Sequence, residues 1–568
     1  TGYAFDGGES LSRTLLQQIK VQDAQGVAYF STLEFNFDPA FEQLYVNSLV
    51  VRNPLGEKVA EGDPSAYYVT STVDGYEAST EKTAHLPVPS LAPGMVIEVV
   101  VTKRINVEED AFPLDIHYLS SSRPIGYSAV FVTGDHDKLQ YRSFGIEPPV
   151  TRNGSLVWET TSPIVYRWEP MQPWYDRMLP WVTIGTSSAS WREAGEDYLA
   201  LIADKLEAER VADMAARLVQ GVDDVHRKIE IISHYVQKEL HYEAIEFGRR
   251  AYVPKTARET LSDRYGDCKD HAVLLVSMLN AVDVPAQLAL VNINQQVLPG
   301  LPNIDQFDHM IVSVPVEGGR LYIDATDKDL RLGRTPPRYM AGNHALVLGE
   351  TPELLPIPEF TVGDSGLQVE RDIEPTADNE IRVTEIGVFS GYQAADMRGQ
   401  LREIEVSDML GTMQRWVADR YSDAVVDDAF VDNVFDASGE LVVELQYRLP
   451  VDSGPFKLPG FFEATFLDYE RLPERRFGFE IPAPLTVSTV TTVRQTPASI
   501  LKVAASKPDA DESRFGSWRR KVDSSDERWV LKLEYTGGYD DYGPEEYREF
   551  TEFHRRLVGS IEQPMMIE

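Results

Sequence analysis

The sequence predicts a multidomain α+β protein in which a mixed helix–strand core lies between two β-rich regions. The chain has 568 residues, 43% hydrophobic and 25% charged, which is ordinary for folded domains. At ~150 residues per domain, three or four domains are expected. Alternating apolar and polar residues dominate both ends, whereas helical spacing dominates the middle. We therefore predict an N-terminal β-sandwich-like domain at 1–170, a core at 171–350 and a C-terminal β-rich domain with helices at 351–568.

The N-terminal region has the pattern of short strands. Leu33, Phe35 and Phe37 alternate with polar residues, which is the period of a half-buried strand. The turn-forming residues 53–56 end a later apolar run, and another run at 95–102 follows Ala-Pro-Gly. Short strands separated by turn signals predict an antiparallel sandwich. The first strands are short, so we expect this domain to begin upstream.

The middle region is predicted to be mainly helical before the chain's single cysteine. A Pro- and Trp-rich link at 163–191 leads into helical patterns at 191–206 and 222–240. The second pattern carries an apolar stripe at three- and four-residue spacing. Its members are Val225, Ile229, Ile232 and Val236.

Strands return after residue 351, where every second residue of 441–447 is apolar. A helical stretch at 392–421 interrupts them, and the polar stretch 508–526 is predicted to be a loop. A last helix is predicted to begin at Pro544, because proline fits the first helical turn. Its packed face would comprise Tyr547, Phe550, and Phe553 or Leu557.

Charge and hydropathy exclude several classes of partner. The net charge is −36, so nucleic acid and anionic lipid would both be repelled. No segment approaches the ~18 consecutive apolar residues of a membrane span. The opening TGYAFDGGES lacks an initiator Met, so we expect a mature product whose signal peptide has been removed. A near absence of cysteine fits an oxidising compartment, although it also fits many cytosolic proteins.

Cys268 is the only cysteine, and it lies within RYGDCKDHAVLLVSMLN at 264–280. Asp267 is a good N-cap residue, and the apolar residues that follow recur at helical spacing. Cys268 is therefore predicted at the first position of a buried helix. Unpaired N–H groups and the helix dipole favour a thiolate there and could hold an oxyanion. The charges of Asp267 and Asp270 oppose the thiolate, so the cysteine needs a base.

Two histidines are candidate bases. His271 lies on the same helix face as Cys268, where a solvated histidine is the simpler interpretation. His309 begins a hairpin in FDHMIVSVPVEGGRLYIDATD at 307–327. If its loop is Pro315–Gly318, His309 lies directly opposite Asp324, with Cβ atoms ~4.5–5.5 Å apart. The carboxylate would then hold one ring nitrogen and leave the other free to act as base.

Residue chemistry alone leaves two interpretations open. A lone cysteine is more often a small packed hydrophobe than a nucleophile, and a His–Asp pair across strands is usually a simple hydrogen bond. A cysteine at a helix start followed by His and Asp on one hairpin is also the arrangement that a Cys–His–Asp triad requires.

The motif residues resemble a known family. GDCKDHAVLLVSMLNAVDVPAQLALV resembles the nucleophile motif of bacterial transglutaminase-like proteins, and FDHMIVSV and LYIDATD resemble the strands that carry that family's His and Asp. The stretch 242–268 resembles the subgroup with an uncharacterised β domain before the core and another after it. Two features depart from the pattern: Asp283 stands where the motif helix usually ends in Gly, and the N-terminal domain is shorter than usual.

The resemblance implies a papain-like transglutaminase core flanked by β-sandwich-type domains. It implies Cys268 as nucleophile, His309 as base and Asp324 as the orienting carboxylate. The chemistry would be acyl transfer through a thioester, with water giving an amidase or protease and an amine giving a transglutaminase. No cofactor or metal is expected, and the stretch 295–306 is expected to be a mobile loop that shapes the acyl site.

The expected substrate is a peptide or small amide, in a periplasmic or secreted bacterial protein with no membrane span. The alternative is a catalytically silent periplasmic or surface interaction module that binds a protein partner through its β domains.

Overall fold

The structure is a computed structural model. It describes residues 1–6, 10–71, 77–79, 81–105, 113–246, 253–333, 336–376, 380–450, 455–457, 460–463, 472–481, 485–494, 501–503, 509–525, 527–538, 540–561 and 564–567.

The N-terminal region is built on an eight-stranded sheet that is antiparallel except for one parallel pair. Its strands, in spatial order, are Val150–Arg152, Ser155–Thr160, Ser128–Gly134, Gly2–Asp6, Ser10–Lys20, Val96–Ile105, Glu42–Arg52 and Lys58–Glu61.

Two three-stranded sheets cover this large sheet. One comprises Thr32–Phe37, Lys82–Pro87 and Tyr68–Ser71, and the other comprises Asp115–Tyr118, Trp181–Gly185 and Gln140–Phe144. Each packs its apolar side chains into a core shared with the large sheet, so the region is a sandwich. A short helix, Ala24–Tyr29, a 3₁₀ turn, His136–Lys138, and the parallel pair Glu77–Ser79 and Ala244–Glu246 complete it.

The predicted link at 163–191 connects all three regions. It contains the helix Tyr175–Met178 and the strand Trp181–Gly185, which pairs with strands of the N-terminal region. Asp176 accepts a hydrogen bond from the backbone of Gln296 in the core at 2.7 Å. Glu169 accepts one from the backbone of Arg476 in the C-terminal region at 3.1 Å. The link is therefore packed against all three regions.

The core is a five-stranded antiparallel sheet with helices against it. In spatial order the strands are Gly319–Ile323, His309–Val316, Gln287–Val291, His344–Leu348 and Glu353–Pro356. The helices are Trp191–Ile202, Ala208–Leu218, Val225–Glu239, Ala257–Asp263 and Cys268–Asn280, with 3₁₀ turns at Ala203–Lys205, Ile304–Gln306 and Arg338–Met340. Two short parallel strands, His241–Tyr242 and Tyr265–Gly266, lie beside the last helix start.

We call Cys268–Asn280 the cysteine helix. Its residues from Cys268 to Leu279 are all buried, because the sheet covers one side and three other helices contact the rest. Asp283 follows it with φ +63°, a left-handed conformation that Asp can adopt, so this departure from Gly is accommodated in the fold. The predicted α+β core, with the cysteine on a helix packed against an antiparallel sheet, is confirmed.

The C-terminal region has its own eight-stranded sheet. In spatial order the strands are Val425–Asp432, Leu441–Pro450, Glu380–Ser390, Ser365–Pro375, Thr486–Arg494, Arg528–Gly537, Gly516–Ser524 and Asp509–Ser513. The helices are Gly391–Arg402, Met409–Arg420 and Tyr547–Ile561, with 3₁₀ turns at Val406–Asp408 and Pro544–Glu546. Smaller sheets join Pro455–Lys457, Pro564–Ile567 and Leu501–Val503, and also Phe479–Glu480 and Asp541–Tyr542.

Two predictions for this region differ in outcome. The turn at Pro544 leads into the last helix, whose buried residues include Tyr547, Phe550 and Phe553, as predicted. The predicted loop at 508–526 is wrong for the residues described, because they form the two outermost strands of the sheet. Asp509–Ser513 is an edge strand with mostly exposed side chains, and Gly516–Ser524 beside it buries only a few of its residues, so the composition of both is as polar as that of a loop.

A buried ionic cluster joins the layers of the C-terminal region. Arg371 is 4% exposed and donates to Glu385 at 2.7 Å, to Thr491 at 2.9 Å and to Glu463. Tyr447 donates its hydroxyl to the other oxygen of Glu385 at 2.9 Å. Such a cluster fixes the layers in one arrangement, since every charge is paired only in that arrangement.

We expect Arg371→Leu to lower the free energy of unfolding by about 3–5 kcal/mol, because two buried carboxylates lose their partner. Arg494 pairs with carboxylates on the surface of the same sheet, so Arg494→Leu should cost no more than about 1 kcal/mol. Urea unfolding of both variants measures the difference, and equal effects would contradict the role given to the cluster.

Candidate functional site

Cys268 is the first residue of the cysteine helix, and it is 6% exposed. Asp267 caps this helix by accepting the N–H groups of Lys269 at 2.9 Å and Asp270 at 3.2 Å. The Asp270 carboxylate in turn accepts the N–H of Asp267 at 3.3 Å, which completes a capping box. Gly266 is required here, because an added Cβ would come within 2.5 Å of the Asp270 side chain.

The acidic charges beside the cysteine are compensated. Asp267 forms a buried ion pair with the Lys269 ammonium at 2.9 Å. Asp270 accepts the backbone N–H of Lys255 at 2.6 Å. The sequence predicts that these two aspartates oppose a thiolate on Cys268. In the structure both carboxylates are bound by donors of their own, which reduces that opposition.

The hairpin that carries His309 has a shorter turn than predicted. Val316 pairs with Gly319, which leaves a two-residue turn in which Gly318 has φ +85°. The register is therefore shifted by two residues from the predicted one. A shift of two keeps side chains on the same face. His309 and Asp324 still share a face, but they lie diagonally across the hairpin and not directly opposite.

His309 and Asp324 are hydrogen-bonded. The Nε2 atom of His309 lies 2.8 Å from Oδ2 of Asp324, which leaves Nδ1 as the other ring nitrogen. Cys268 acts on the same ring, because its side chain contributes to raising the pKa of His309. The structure thus brings the three predicted site residues together, from one helix start and two strands.

Asp324 is held by more donors than the sequence predicted. Its Oδ1 atom accepts the backbone N–H and the hydroxyl of Thr326, both at 2.7 Å. Its Oδ2 atom accepts the hydroxyl of Tyr339 as well as the imidazole. Gln237, on a neighbouring helix, donates to its backbone carbonyl at 2.9 Å. Tyr339 was missed because it lies in a loop 15 residues further on, where spacing carries no signal.

These contacts set the ionisation of the pair. Burial lowers the pKa of His309, but the Asp324 charge and the hydrogen bonds to Asp324 and Cys268 outweigh it and raise the pKa to about 10. Burial also disfavours the charged form of Asp324. The His309 charge and the three side-chain donors nevertheless hold the pKa of Asp324 well below its usual range. At neutral pH the pair is an imidazolium and a carboxylate.

His271 is not the solvated residue that the sequence favoured. It is 1% exposed, its Nδ1 lies 2.8 Å from the carbonyl oxygen of Asp267, and burial lowers its pKa. The helix is enclosed by other elements on all sides, so no face of it is solvated. His271 serves the helix start as a neutral, hydrogen-bonded residue.

Two further carboxylates lie near the pair. Asp308 points away and accepts the backbone N–H of Ile293 at 2.9 Å. Asp327 accepts the N–H of Asp329 at 2.9 Å, and burial together with the Asp324 charge raises its pKa to about 6. Neither carboxylate is hydrogen-bonded to His309 among the contacts of the described residues.

The stretch 295–306, predicted to be a mobile loop, is tied down at several points. Asn343 donates to the carbonyl of Gln295 at 2.9 Å and accepts the N–H of Val297 at the same distance. Gln306 accepts the N–H of Leu298 at 2.7 Å. These bonds fix the path of the chain into His309.

The His–Asp pair opens into a cleft of about 690 Å³ between the core and the C-terminal region. His309, Asp324 and Tyr339 line it on one side. The helix Gly391–Arg402 lines it on the other, through residues that include Tyr392 and Asp396. The cleft is large enough for part of a peptide or a small amide. Nowhere in the described ranges do three or more His, Cys, Asp or Glu side chains form a group suited to a metal ion.

Two parts of the chain match known families. Residues 212–324 match the transglutaminase-like superfamily, and residues 9–168 match DUF3857, a domain of unknown function. The chain therefore carries a transglutaminase-like core preceded by a DUF3857 domain. A search of the curated proteins found no match.

Two solved structures are similar to this chain. One is described as a "putative protease" from Parabacteroides distasonis ATCC 8503; it is 14% identical, with a TM-score of 0.67, over 100% of this chain and 97% of its own. The other is described as a "putative cysteine protease" from Cytophaga hutchinsonii; it is 12% identical, with a TM-score of 0.19, over 52% of this chain and 79% of its own. The first shows that the whole chain shares one known multidomain fold. Within the described ranges no helix combines the length and apolar character needed to cross a bilayer.

We expect iodoacetamide to alkylate Cys268 at pH 6 faster than it alkylates a free thiol, whose pKa is about 8.5. The physical reason is that a protonated His309 would hold the sulfur as a thiolate. Mass spectrometry of the single cysteine gives the rate. His309→Ala should slow it to the pace of a free thiol, whereas His271→Asn should change it little. A wild-type rate no faster than a free thiol would indicate an inert cysteine.

Proposed function

We propose that this protein is a thiol-dependent acyl-transfer enzyme that acts on a peptide or small amide. Cys268 is the nucleophile, His309 the general base and acid, and Asp324 the carboxylate that orients the imidazole. One observation carries the proposal: a buried carboxylate holds an imidazole at 2.8 Å, and a cysteine at a helix start also helps to raise the pKa of that imidazole. The transglutaminase-like match supports a thiol-dependent enzyme in the broad sense.

In the first half-reaction, the Cys268 sulfur attacks the amide carbonyl carbon and a C–S bond forms. The carbonyl oxygen becomes an oxyanion at the helix start, where the Asp267 cap takes the N–H groups of Lys269 and Asp270 but not that of Cys268. That N–H is the donor assigned to the oxyanion. His309 gives its proton to the departing amine as the C–N bond breaks, which leaves a thioester.

In the second half-reaction, His309 takes a proton from water or from a second amine, which attacks the thioester carbon. The C–S bond breaks, and the thiolate is restored beside the imidazolium. Water gives hydrolysis and an amine gives transamidation. The three groups act in the same way in both reactions, so the geometry supports acyl transfer and leaves the acceptor open. A periplasmic or secreted location stays a prediction from the sequence.

We expect Cys268→Ala to fold normally and to lose all turnover. Peptide, peptidoglycan-fragment and small amide libraries, each offered with and without a primary amine, test the wild type against this variant. Turnover by the wild type alone supports the enzyme and identifies the acceptor. Turnover that survives in Cys268→Ala excludes the nucleophile. A wild-type protein that turns over no substrate, and whose Cys268 is not alkylated by iodoacetamide, would favour the catalytically silent interaction module.

The pH dependence of turnover follows from the pKa of His309, which is raised to about 10. Protonated His309 donates to the leaving amine, so turnover should persist through neutral pH and decline as the pH rises through about 10. A pH–rate profile of kcat measures this. A decline near pH 6.5, the ordinary value for histidine, would show that Asp324 does not stabilise the imidazolium.

We expect Asp324→Asn to keep the fold and to reduce turnover by about a hundredfold or more, because an amide cannot hold the imidazole in the same protonation state. Asp327→Asn is the matched control: it removes a neighbouring carboxylate that is not hydrogen-bonded to His309, and it should change turnover little. Similar losses in both variants would point to general damage to the loop and against a specific role for Asp324.

A further inference from the structure

The chain that follows Asp324 leaves the core sheet and runs against the helix Gly391–Arg402, which we call the interface helix. This segment comprises residues 324–333, and its Asp329 carbonyl accepts a hydrogen bond from Arg398 of the interface helix at 3.0 Å. Arg402 donates to the carbonyl of Lys328 at 3.0 Å and to the Asp329 carboxylate. The segment just after the site carboxylate is thus bound by two arginines of the C-terminal region.

The same helix also binds the turn that carries Tyr339. Tyr392, which is 3% exposed, donates its hydroxyl to the carbonyl of Pro336. One turn further along the helix, Asp396 pairs with Arg338 at 3.6 Å. Pro336 and Arg338 are thus anchored to the helix, and Met340 is buried in the core. Tyr339 lies between Arg338 and Met340. Its placement therefore depends on contacts made by the interface helix.

Tyr339 contacts both members of the pair. Its hydroxyl donates to Oδ2 of Asp324, the oxygen that also binds His309. Its ring stands edge-on to the imidazole, with centroids 6.3 Å apart and planes at 81°. A donor on the shared oxygen spreads the carboxylate charge and fixes the direction of the lone pair that His309 uses.

We propose that the interface helix of the C-terminal region is a positioning element of the catalytic site, and that Tyr339 is the residue through which it acts. By holding the turn at Pro336 and Arg338, the helix keeps the Tyr339 hydroxyl on Asp324 and so orients His309 toward Cys268. This inference rests on the proposed function. It gives the C-terminal domain a part in the reaction, because the contacts that hold the turn of Tyr339 come from the interface helix.

Tyr339→Phe tests the contact itself in the full-length protein. Because loss of the hydroxyl concentrates negative charge on Oδ2, the imidazolium should be stabilised further. Alkylation of Cys268 by iodoacetamide should rise with pH in two steps, thiolate formation and then loss of the His309 proton. We expect the second step to move upward by about half a pH unit in Tyr339→Phe, and kcat to fall by about tenfold with little change in KM.

Tyr322→Phe is the matched control for this variant. Tyr322 is a buried tyrosine of the same sheet, and among the described contacts its hydroxyl is bonded to none of the three site residues. It should leave the second step and kcat unchanged. A Tyr339→Phe profile that overlays the wild type, or one that the control reproduces, would overturn the role of Tyr339.

Tyr392→Phe tests the interface helix. It removes one hydrogen bond between a tyrosine hydroxyl and the backbone, as does Tyr421→Phe, since the Tyr421 hydroxyl accepts the N–H of Gly460 at 2.8 Å inside the C-terminal region. Both variants should lose similar stability in thermal unfolding, but Tyr392→Phe alone should shift the second alkylation step and lower kcat. Equal kcat in the two variants would overturn the inference.

The alkylation readout separates this inference from the proposed function, since it needs no substrate. A wild-type Cys268 that reacts as a free thiol defeats the proposed function. If the wild-type thiol is activated but the pH dependence of alkylation is unchanged in Tyr339→Phe and Tyr392→Phe, the proposed function is retained and the positioning role is excluded.

Discussion

The hydrogen bond between His309 and Asp324 is the constraint on which the rest of the site depends. A buried carboxylate is stable only when it is paired and fully hydrogen-bonded. The Asp324 carboxylate obtains its partners from the hairpin, from Thr326 and from the turn at Tyr339, while a core helix binds the Asp324 backbone carbonyl. These elements come from distant parts of the sequence. The side chain and backbone of one buried residue therefore tie the hairpin, a core helix and the turn at Tyr339 to a single arrangement.

At the start of the cysteine helix, negatively charged groups compete for the same backbone donors, and this competition is resolved by local contacts. The N-terminus of a helix attracts negative charge, and both Asp267 and the sulfur of Cys268 compete for it. Asp267 takes two backbone donors and the Lys269 ammonium, so its charge is used within the cap. In the proposed reaction, the imidazolium of His309 is then the counter-charge of the Cys268 thiolate. Under the proposed function, the cap builds the helix and the histidine activates the thiol.

Much of this arrangement was predictable from sequence, for reasons that also explain the errors. The cysteine helix and the shared face of His309 and Asp324 follow from periodicity, because helical spacing and strand alternation survive small errors of register. The turn between the strands of His309 and Asp324 is two residues shorter than predicted. Because a shift of two residues keeps side chains on the same face, the two side chains still share a face. The solvent exposure of His271 was misjudged, since periodicity does not show that other elements enclose a helix. Tyr339 and the interface helix depend on tertiary contacts, which spacing does not encode.

The division of the cleft between two regions has a consequence for the choice of acceptor. The core contributes the groups of the proposed triad, and these serve water and amines alike. The opposite wall, the interface helix, belongs to the C-terminal region and includes Tyr392, Asp396 and Gln400. Under the proposed function, an acyl acceptor that reaches His309 through this cleft would meet that wall. An acceptor that enters by this cleft would therefore contact side chains of the interface helix, while the groups of the proposed triad come from the core.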